Sequence, residues 1–136
     1  MLVKVHALLW DGDRIVVNAE RRQGEPHMTL PGGRVHDRER LSVALRREVE
    51  EEIGVRVLVG RLLYVAEVVH GHGVHDVCFV FAASAVSALP ASVTSLTLTE
   101  ADGRVFPPII SEVALDGRDG PAATRWLGNL WRARDA

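Results

Sequence analysis

From Leu41 to Ile53 the chain holds neither glycine nor proline, and Gly54 follows as a residue suited to a left-handed C-terminal cap. The stretch LSVALRREVEEEI therefore reads as a helix. At about 100° per residue, Leu41, Ala44, Leu45, Val49 and Ile53 share one apolar stripe, so this helix has to lie against a core. Its acidic residues do not all respect that stripe. Glu50 points away from it, as a solvated charge should. Glu48 and Glu52 fall inside it, and Glu51 lies just past its Ala44 edge. A carboxylate turned toward a core is costly unless something compensates it, and several together raise one another's pKa. Two readings stand side by side. One is a solvated acidic face, salt-bridged by Arg46 and Arg47. The other is a set of carboxylates gathered for a divalent cation, since hard cations such as Mg2+ prefer oxygen ligands.

The rest of the chain reads mostly as strands. Val3–Trp10 and Arg14–Glu20 are rich in apolar and β-branched residues and flank Asp11-Gly12-Asp13, a hairpin signal. Arg21–Met28 is polar, with Gly and Pro, and reads as a loop; Thr29–Gly33 reads as a short strand ending in a turn. Val55–Val69 and Val74–Val86 are long apolar or alternating runs separated by His70-Gly71-His72-Gly73, which suggests a long hairpin. A short strand is expected over Val93–Leu98, an irregular loop to Pro108 and a second helix over Ile109–Leu115, with Arg132–Ala136 fraying. Strands and helices alternate without regular βαβ spacing, which favours a mixed α/β sandwich over a doubly wound sheet.

Bulk properties narrow the function classes. The 136 residues make one domain, 1–136, long enough to bury a real core. A net charge of −2 without a long basic run argues against a nucleic-acid polymer or an anionic membrane as partner. Cys78 lies in an apolar run and reads as a small buried hydrophobe. The opening MLVKVHALLWDGDR is interrupted by charge too soon for a signal peptide or membrane span, so a cytoplasmic location is expected.

The spacing from Gly33 to Val55 adds to the weighing of the two readings of the acidic helix. Gly33 is followed after five residues by Glu39, and after seven more by Arg47-Glu48. Val49, Glu51-Glu52 and Gly54-Val55 then occupy the remaining defined positions of G-x5-E-x7-R-E-U-x-E-E-x-G-U, where U is a bulky aliphatic residue. Every defined position is met, and the chain thereby resembles the Nudix family, as does the preceding Leu30-Pro31-Gly32. The resemblance implies an α/β/α sandwich with a mixed sheet, in which the signature forms a loop–helix–loop. It also implies divalent-metal-dependent hydrolysis of a nucleoside diphosphate linked to another moiety, with Mg2+, or Mn2+ in its place. Glu48, Glu51 and Glu52 resemble the family's metal-binding carboxylates, and the Gly33 carbonyl a further ligand. Arg47 resembles its orienting arginine, paired with Glu39 to hold loop against helix.

The chemistry suits that set: a diphosphate must have its charge neutralised and its attacking water deprotonated. The proton acceptor is left open between one of these carboxylates and a later acid, Glu100, Asp102 or Glu112. A nucleotide-binding sensor of the same fold without hydrolysis is the alternative, as is a plain interaction domain. The expected ligand is a small nucleotide, bound by a monomer or homodimer.

The sequence also departs from the family. His36 and Arg38 stand where relatives often have Glu-x-Gly, which suggests a different backbone shape at Arg38 and a surface role for His36. Met28 stands where many relatives have tryptophan. Arg21 and Arg22 are candidates for substrate phosphate or simply a solvated strand end. His70, His72 and His75 read as exposed turn residues more readily than as a transition-metal site. Trp126 and Trp131 read as core packing rather than as base-stacking platforms.

Overall fold

The computed structural model describes residues 1–22, 24–69, 73–109, 114 and 125–129. β1 (Leu2–Asp11) and β2 (Arg14–Arg22) form the first hairpin. Asp11 lies opposite Arg14, and Gly12 takes φ 63°, the left-handed conformation that a two-residue loop with glycine first requires. β3 (Glu25–Thr29) then pairs antiparallel with β2, from Arg22 opposite Glu25 to Asn18 opposite Thr29. The loop expected over Arg21–Met28 is therefore a second hairpin. Its polarity reflects exposure, with Arg21, Glu25 and Pro26 facing solvent, and not a want of pairing.

Beyond Leu30-Pro31, β4 (Gly32–Arg34) lies antiparallel on β1, so the run Thr29–Gly33 is divided between two strands. α1 (Leu41–Ile53) ends at Gly54, whose φ is 68° and whose N–H bonds the Glu50 carbonyl. β5 (Val57–Val69) and β6 (His75–Ala85) form the expected long hairpin, paired from Val57 opposite Ala85 to Val69 opposite His75. β7 (Thr94–Leu96) is shorter than the strand expected there. Thr97 leaves the sheet to cap α2 (Leu98–Ala101), its hydroxyl accepting from the Glu100 N–H while the Glu100 carboxylate accepts from the Thr97 N–H. That Thr-x-x-Glu capping box is a local signal the sequence reading passed over. β8 (Val105–Phe106) and β9 (Arg125–Asn129) complete the elements. Apart from Ile109 and Ala114, the helix expected over Ile109–Leu115 falls outside the described residues, as do His70, His72, Glu112, Trp131 and the tail Arg132–Ala136.

The strands join one mixed sheet in the order β8-β3-β2-β1-β6-β5-β9, with β4 also on β1 and β7 also on β2. β1 is the hub. It runs parallel to β6 from Leu2 to Leu9, pairs with β4 over Lys4–His6, and reaches β2 only at Trp10 and Asp11. Both of its faces are covered. Val5, Ala7 and Leu9 meet Ala44, Leu45 and Val49 of α1, while Leu8 packs with Ile15, Tyr64, Val80 and Ala101 on the opposite face. The alternation is that of any strand; burial on both sides is why this one is so apolar. Helices therefore flank a mixed sheet, the α/β/α arrangement expected from the sequence. Cys78 is fully buried in it, and among the described residues no helix is long and apolar enough to cross a membrane.

Candidate active site

The site begins with a close backbone approach. The Pro31 carbonyl accepts from the Ala7 N–H at 2.8 Å, laying Pro31-Gly32 directly on β1. A Cβ on Gly32 would stand 2.0 Å from the Val5 carbonyl oxygen, so only glycine fits. The approach brings the Gly32 N–H to 2.9 Å from Glu52 Oε1 in the last turn of α1. The other Glu52 oxygen accepts from the Asn18 side-chain amide of β2. Gly33 is pressed against Glu48, where a Cβ would lie 2.6 Å from Oε2.

Arg47 fastens the loop to the helix. Its Nε and Nη2 donate to the two Glu39 oxygens at 2.8 Å each, a two-pronged pair. Nη2 also reaches the Arg34 carbonyl at 3.1 Å, and Nη1 reaches Glu48 at 3.0 Å and Glu51 at 3.3 Å. Glu39 is held further by the His36 N–H at 3.0 Å. The Arg47 hydrogen bonds, with that of the His36 N–H, lower the Glu39 pKa to about 2, and Glu39 in turn raises that of Arg47. Arg38 occupies the left-handed region at φ 64°. The expectation of a different backbone shape there is thus corrected. The turn takes a glycine-like conformation, and arginine adopts it at a cost of about 1 kcal/mol.

The carboxylates divide as the helical wheel separates them. Glu48 and Glu52 are half-buried; Glu50 and Glu51 are exposed. Burial raises the Glu52 pKa to about 6 and the Glu48 charge adds to the rise, against the Gly32 N–H and the Asn18 amide. In this arrangement Glu48 and Glu51 turn to Arg47 while Glu52 turns to Asn18 and Gly32. Among the described residues, no three acidic, histidine or cysteine side chains are already gathered as a metal cluster.

A cavity of about 550 Å³ opens beside Glu52, Gly32 and Gly33. Its lining also includes Lys4, His6, Asp76 and Phe106. Lys4 Nζ lies 3.2 Å from Asp76 Oδ2 and 5.3 Å from the centre of the Phe106 ring. His6 Nδ1 meets the Leu30 carbonyl at 3.1 Å, and burial holds its pKa down at about 4.

The model of the NUDIX domain matches residues 2–108. The chain belongs to the Nudix hydrolase family. Its fold is similar to that of a NUDIX hydrolase from Nitrosomonas europaea, with TM-score 0.72 and 21% identity over 86% of this chain and 88% of that one. A MutT NUDIX hydrolase from Burkholderia pseudomallei gives 0.65 and 26%, covering 85% and 96%. An ADP-ribose pyrophosphatase from Streptococcus suis gives 0.68 and 16%, covering 92% and 98%. No curated protein matches by sequence.

The structure brings the Nudix signature residues Gly33, Glu39, Arg47, Glu48, Glu51 and Glu52 onto one loop–helix corner. Arg21 lies elsewhere, donating to the Gly24 carbonyl at 2.9 Å at the β2–β3 hairpin. Glu100 is engaged by its own cap and by Arg14 at 3.4 Å, and Asp102 is exposed at the end of α2. His36 is exposed, acting through its backbone. His75 is not a bare turn residue but a half-buried strand residue, 3.0 Å from Glu67. Met28 packs on the core with Leu30, and the aromatic ring beside the cavity is Phe106. The sequence reading missed Asn18, Lys4, His6, Asp76 and Phe106. A signal existed for Lys4 and His6, each a polar residue flanked by apolar neighbours within β1.

Proposed function

We propose that the chain is a divalent-metal-dependent hydrolase that cleaves the diphosphate linkage of a nucleoside diphosphate derivative by water attack on phosphorus. The observation that carries this reading is the pair Glu48 and Glu52, drawn in beside Gly33 and an open cavity with Glu52 raised to about 6. Such a half-buried carboxylate pair is unfavourable by itself and favourable around a cation. All the donors are hard oxygens, which fits Mg2+ or Mn2+. Glu48, Glu51, Glu52 and the Gly33 carbonyl are the proposed ligands.

The cation, when bound, neutralises diphosphate charge and lowers the pKa of the attacking water. The chain's own residues supply the rest. Gly32 and Asn18 fix the orientation of Glu52. Arg47 and Glu39 fix the Gly33 loop relative to α1. Glu52 lines the cavity and Glu48 touches Gly33, which also lines it, whereas Glu100 and Asp102 do not, which favours a helix carboxylate as proton acceptor. The neighbours named MutT and ADP-ribose pyrophosphatase support the nucleotide class. We place the protein in the cytoplasm as one domain, 1–136, acting on a small nucleotide as monomer or homodimer.

The test is a panel of nucleoside triphosphates, ADP-ribose-like compounds and dinucleotides with Mg2+ or Mn2+, products being identified. Release of a nucleoside monophosphate is expected. Tight metal-independent binding without turnover would replace this reading by that of a sensor.

A further inference from the structure

The floor of the cavity beside Glu52 is laid by Lys4 and His6 of β1 and Asp76 of β6, and β4 runs along its rim. Lys4 is already engaged there, its Nζ 3.2 Å from Asp76 Oδ2. β4 adds a second cation on the same side. Arg34 stands directly opposite Lys4 in the antiparallel β1–β4 register, so the two side chains leave the sheet on one face, and both residues line the cavity. Like charges opposed across a strand pair repel unless each has a counterion. Lys4 has Asp76. Among the described residues the Arg34 guanidinium makes no hydrogen bond and no ion pair.

Arg34 is exposed, and an anion that reaches it displaces water and breaks no contact within the chain. Its backbone, by contrast, is fixed. It is paired with β1, and its carbonyl accepts from Arg47 Nη2 at 3.1 Å. Its Cα is about 3.8 Å from that of Gly33, whose carbonyl is a proposed ligand. Gly33 faces α1, where a Cβ would meet Glu48, and Arg34 faces the other way, with Lys4. The charges of the lining divide in the same sense. Glu20 and Glu52 belong to one end, the Glu20 charge being among those that act on Glu52, and Glu20 lies opposite His27 in the β2–β3 register. Asp76 lies against Lys4. The acids thus gather toward the metal corner, and Arg34 offers a guanidinium on the opposite face of β4.

We propose that Arg34 is a substrate-binding residue that takes a phosphate lying beyond the linkage held at the acidic corner, so that the chain prefers nucleoside triphosphates to nucleoside diphosphate sugars. A guanidinium meets a phosphate through two parallel hydrogen bonds strengthened by charge. A triphosphate brings such a group, and its hydrolysis with one water yields the nucleoside monophosphate and diphosphate. A neutral sugar in that place leaves Arg34 facing Lys4 with water as its only partner. This inference rests on the hydrolase reading and names its substrate class.

The experiment uses the full chain with Mg2+ on the matched pairs ATP and ADP-ribose, GTP and GDP-mannose, and UTP and UDP-glucose. We expect kcat/KM to favour the triphosphate by at least about tenfold within the pair that is turned over best. Arg34→Gln should lower that ratio at least about tenfold, mainly through KM, and Arg34→Lys should restore part of it. Arg46→Gln, which removes an exposed arginine of α1, controls for net charge and should leave the ratio unchanged. The rise in thermal midpoint on adding Mg2+ should be the same in Arg34→Gln as in the parent, which separates a lost substrate contact from a disturbed acidic corner. Calorimetric titration with α,β-methylene triphosphates and with the monophosphates reads the contact without turnover, and Arg34→Gln should weaken only the former. Turnover that favours the sugars or treats both classes alike overturns the inference and leaves the hydrolase reading intact. So does a ratio unmoved by Arg34→Gln or lowered equally by Arg46→Gln, or loss of the Mg2+ effect in Arg34→Gln. No turnover of any compound overturns the hydrolase reading, and the calorimetric comparison then decides the role of Arg34 separately.

Discussion

At the scale of single residues, the site is defined by side chains whose neighbours oppose their ordinary state. Glu52 is the clearest case. It accepts from the Gly32 N–H and Asn18, yet burial and the Glu48 charge still raise its pKa to about 6. At neutral pH it is thus an ionised group in a place that disfavours the charge. Glu52→Gln keeps the shape and the oxygen facing Gly32, and the Asn18 amide can turn over to meet the new NH2 group. Without metal, the variant should be as stable as the parent or more so, by less than about 1 kcal/mol after solvent screening. Its turnover should fall by at least about a hundredfold, and added Mg2+ should no longer raise its thermal midpoint. Thermal unfolding with chelator and with Mg2+ measures both arms. A metal-free fold that collapses, or activity near the parent level, would remove Glu52 from the proposed ligand set.

Among the elements, the corner between β4 and α1 depends on a pair that the helical wheel does not pick out. Arg47 and Glu50 both lie off the apolar stripe, but Arg47 is tied to Glu39, Glu48, Glu51 and the Arg34 carbonyl while Glu50 is exposed. Lysine cannot copy the two-pronged contact with Glu39. Arg47→Lys should lower metal affinity and turnover, and Glu50→Gln should change neither by more than a few-fold. A double-mutant cycle on Glu39→Gln and Arg47→Lys should show coupling. Strictly additive losses would mean that the loop is held some other way. The signature made this corner legible, because its positions are fixed in spacing and run continuously from Gly33 in β4 through the loop at Glu39 and along α1 to Gly54. The β2–β3 hairpin was not legible, because exposed residues such as Arg21 and Pro26 carry no apolar alternation even where the backbone is paired. The cavity floor was harder still. Lys4, His6 and Asp76 meet only through the parallel pairing of β1 and β6, which lie far apart in the chain, and no local pattern encodes that register.

Over the whole molecule, these groups combine into a stability profile with a definite sign at each pH. His6 titrates at about 4 in the folded chain against 6.5 in the unfolded one, because it is buried beside Lys4 with only Asp76 and the Leu30 carbonyl favouring its charge. Below 6.5 the unfolded chain binds a proton that the folded chain refuses until about 4, so stability falls as pH falls through that window. The full loss is about 3 kcal/mol, since each pKa unit is worth about 1.4 kcal/mol. Glu52 acts in the opposite sense. Its folded pKa is raised from 4.5 to about 6, so between those values the folded chain binds the extra proton and stability rises as pH falls. The parent should therefore lose stability slowly between pH 6 and 4.5, where the two partly cancel. It should lose it faster below 4.5, where Glu39, lowered to about 2, joins His6. Glu52→Gln removes the opposing slope and should steepen the loss between 6 and 4.5. His6→Asn removes the other and should leave stability flat or rising as pH falls across the same interval. Denaturant unfolding of the three proteins in chelator, at steps from pH 7.5 to 4, separates the curves. Parallel curves for all three would mean that neither group titrates as its surroundings dictate, and the buried floor and the acidic corner would both need a different electrostatic account.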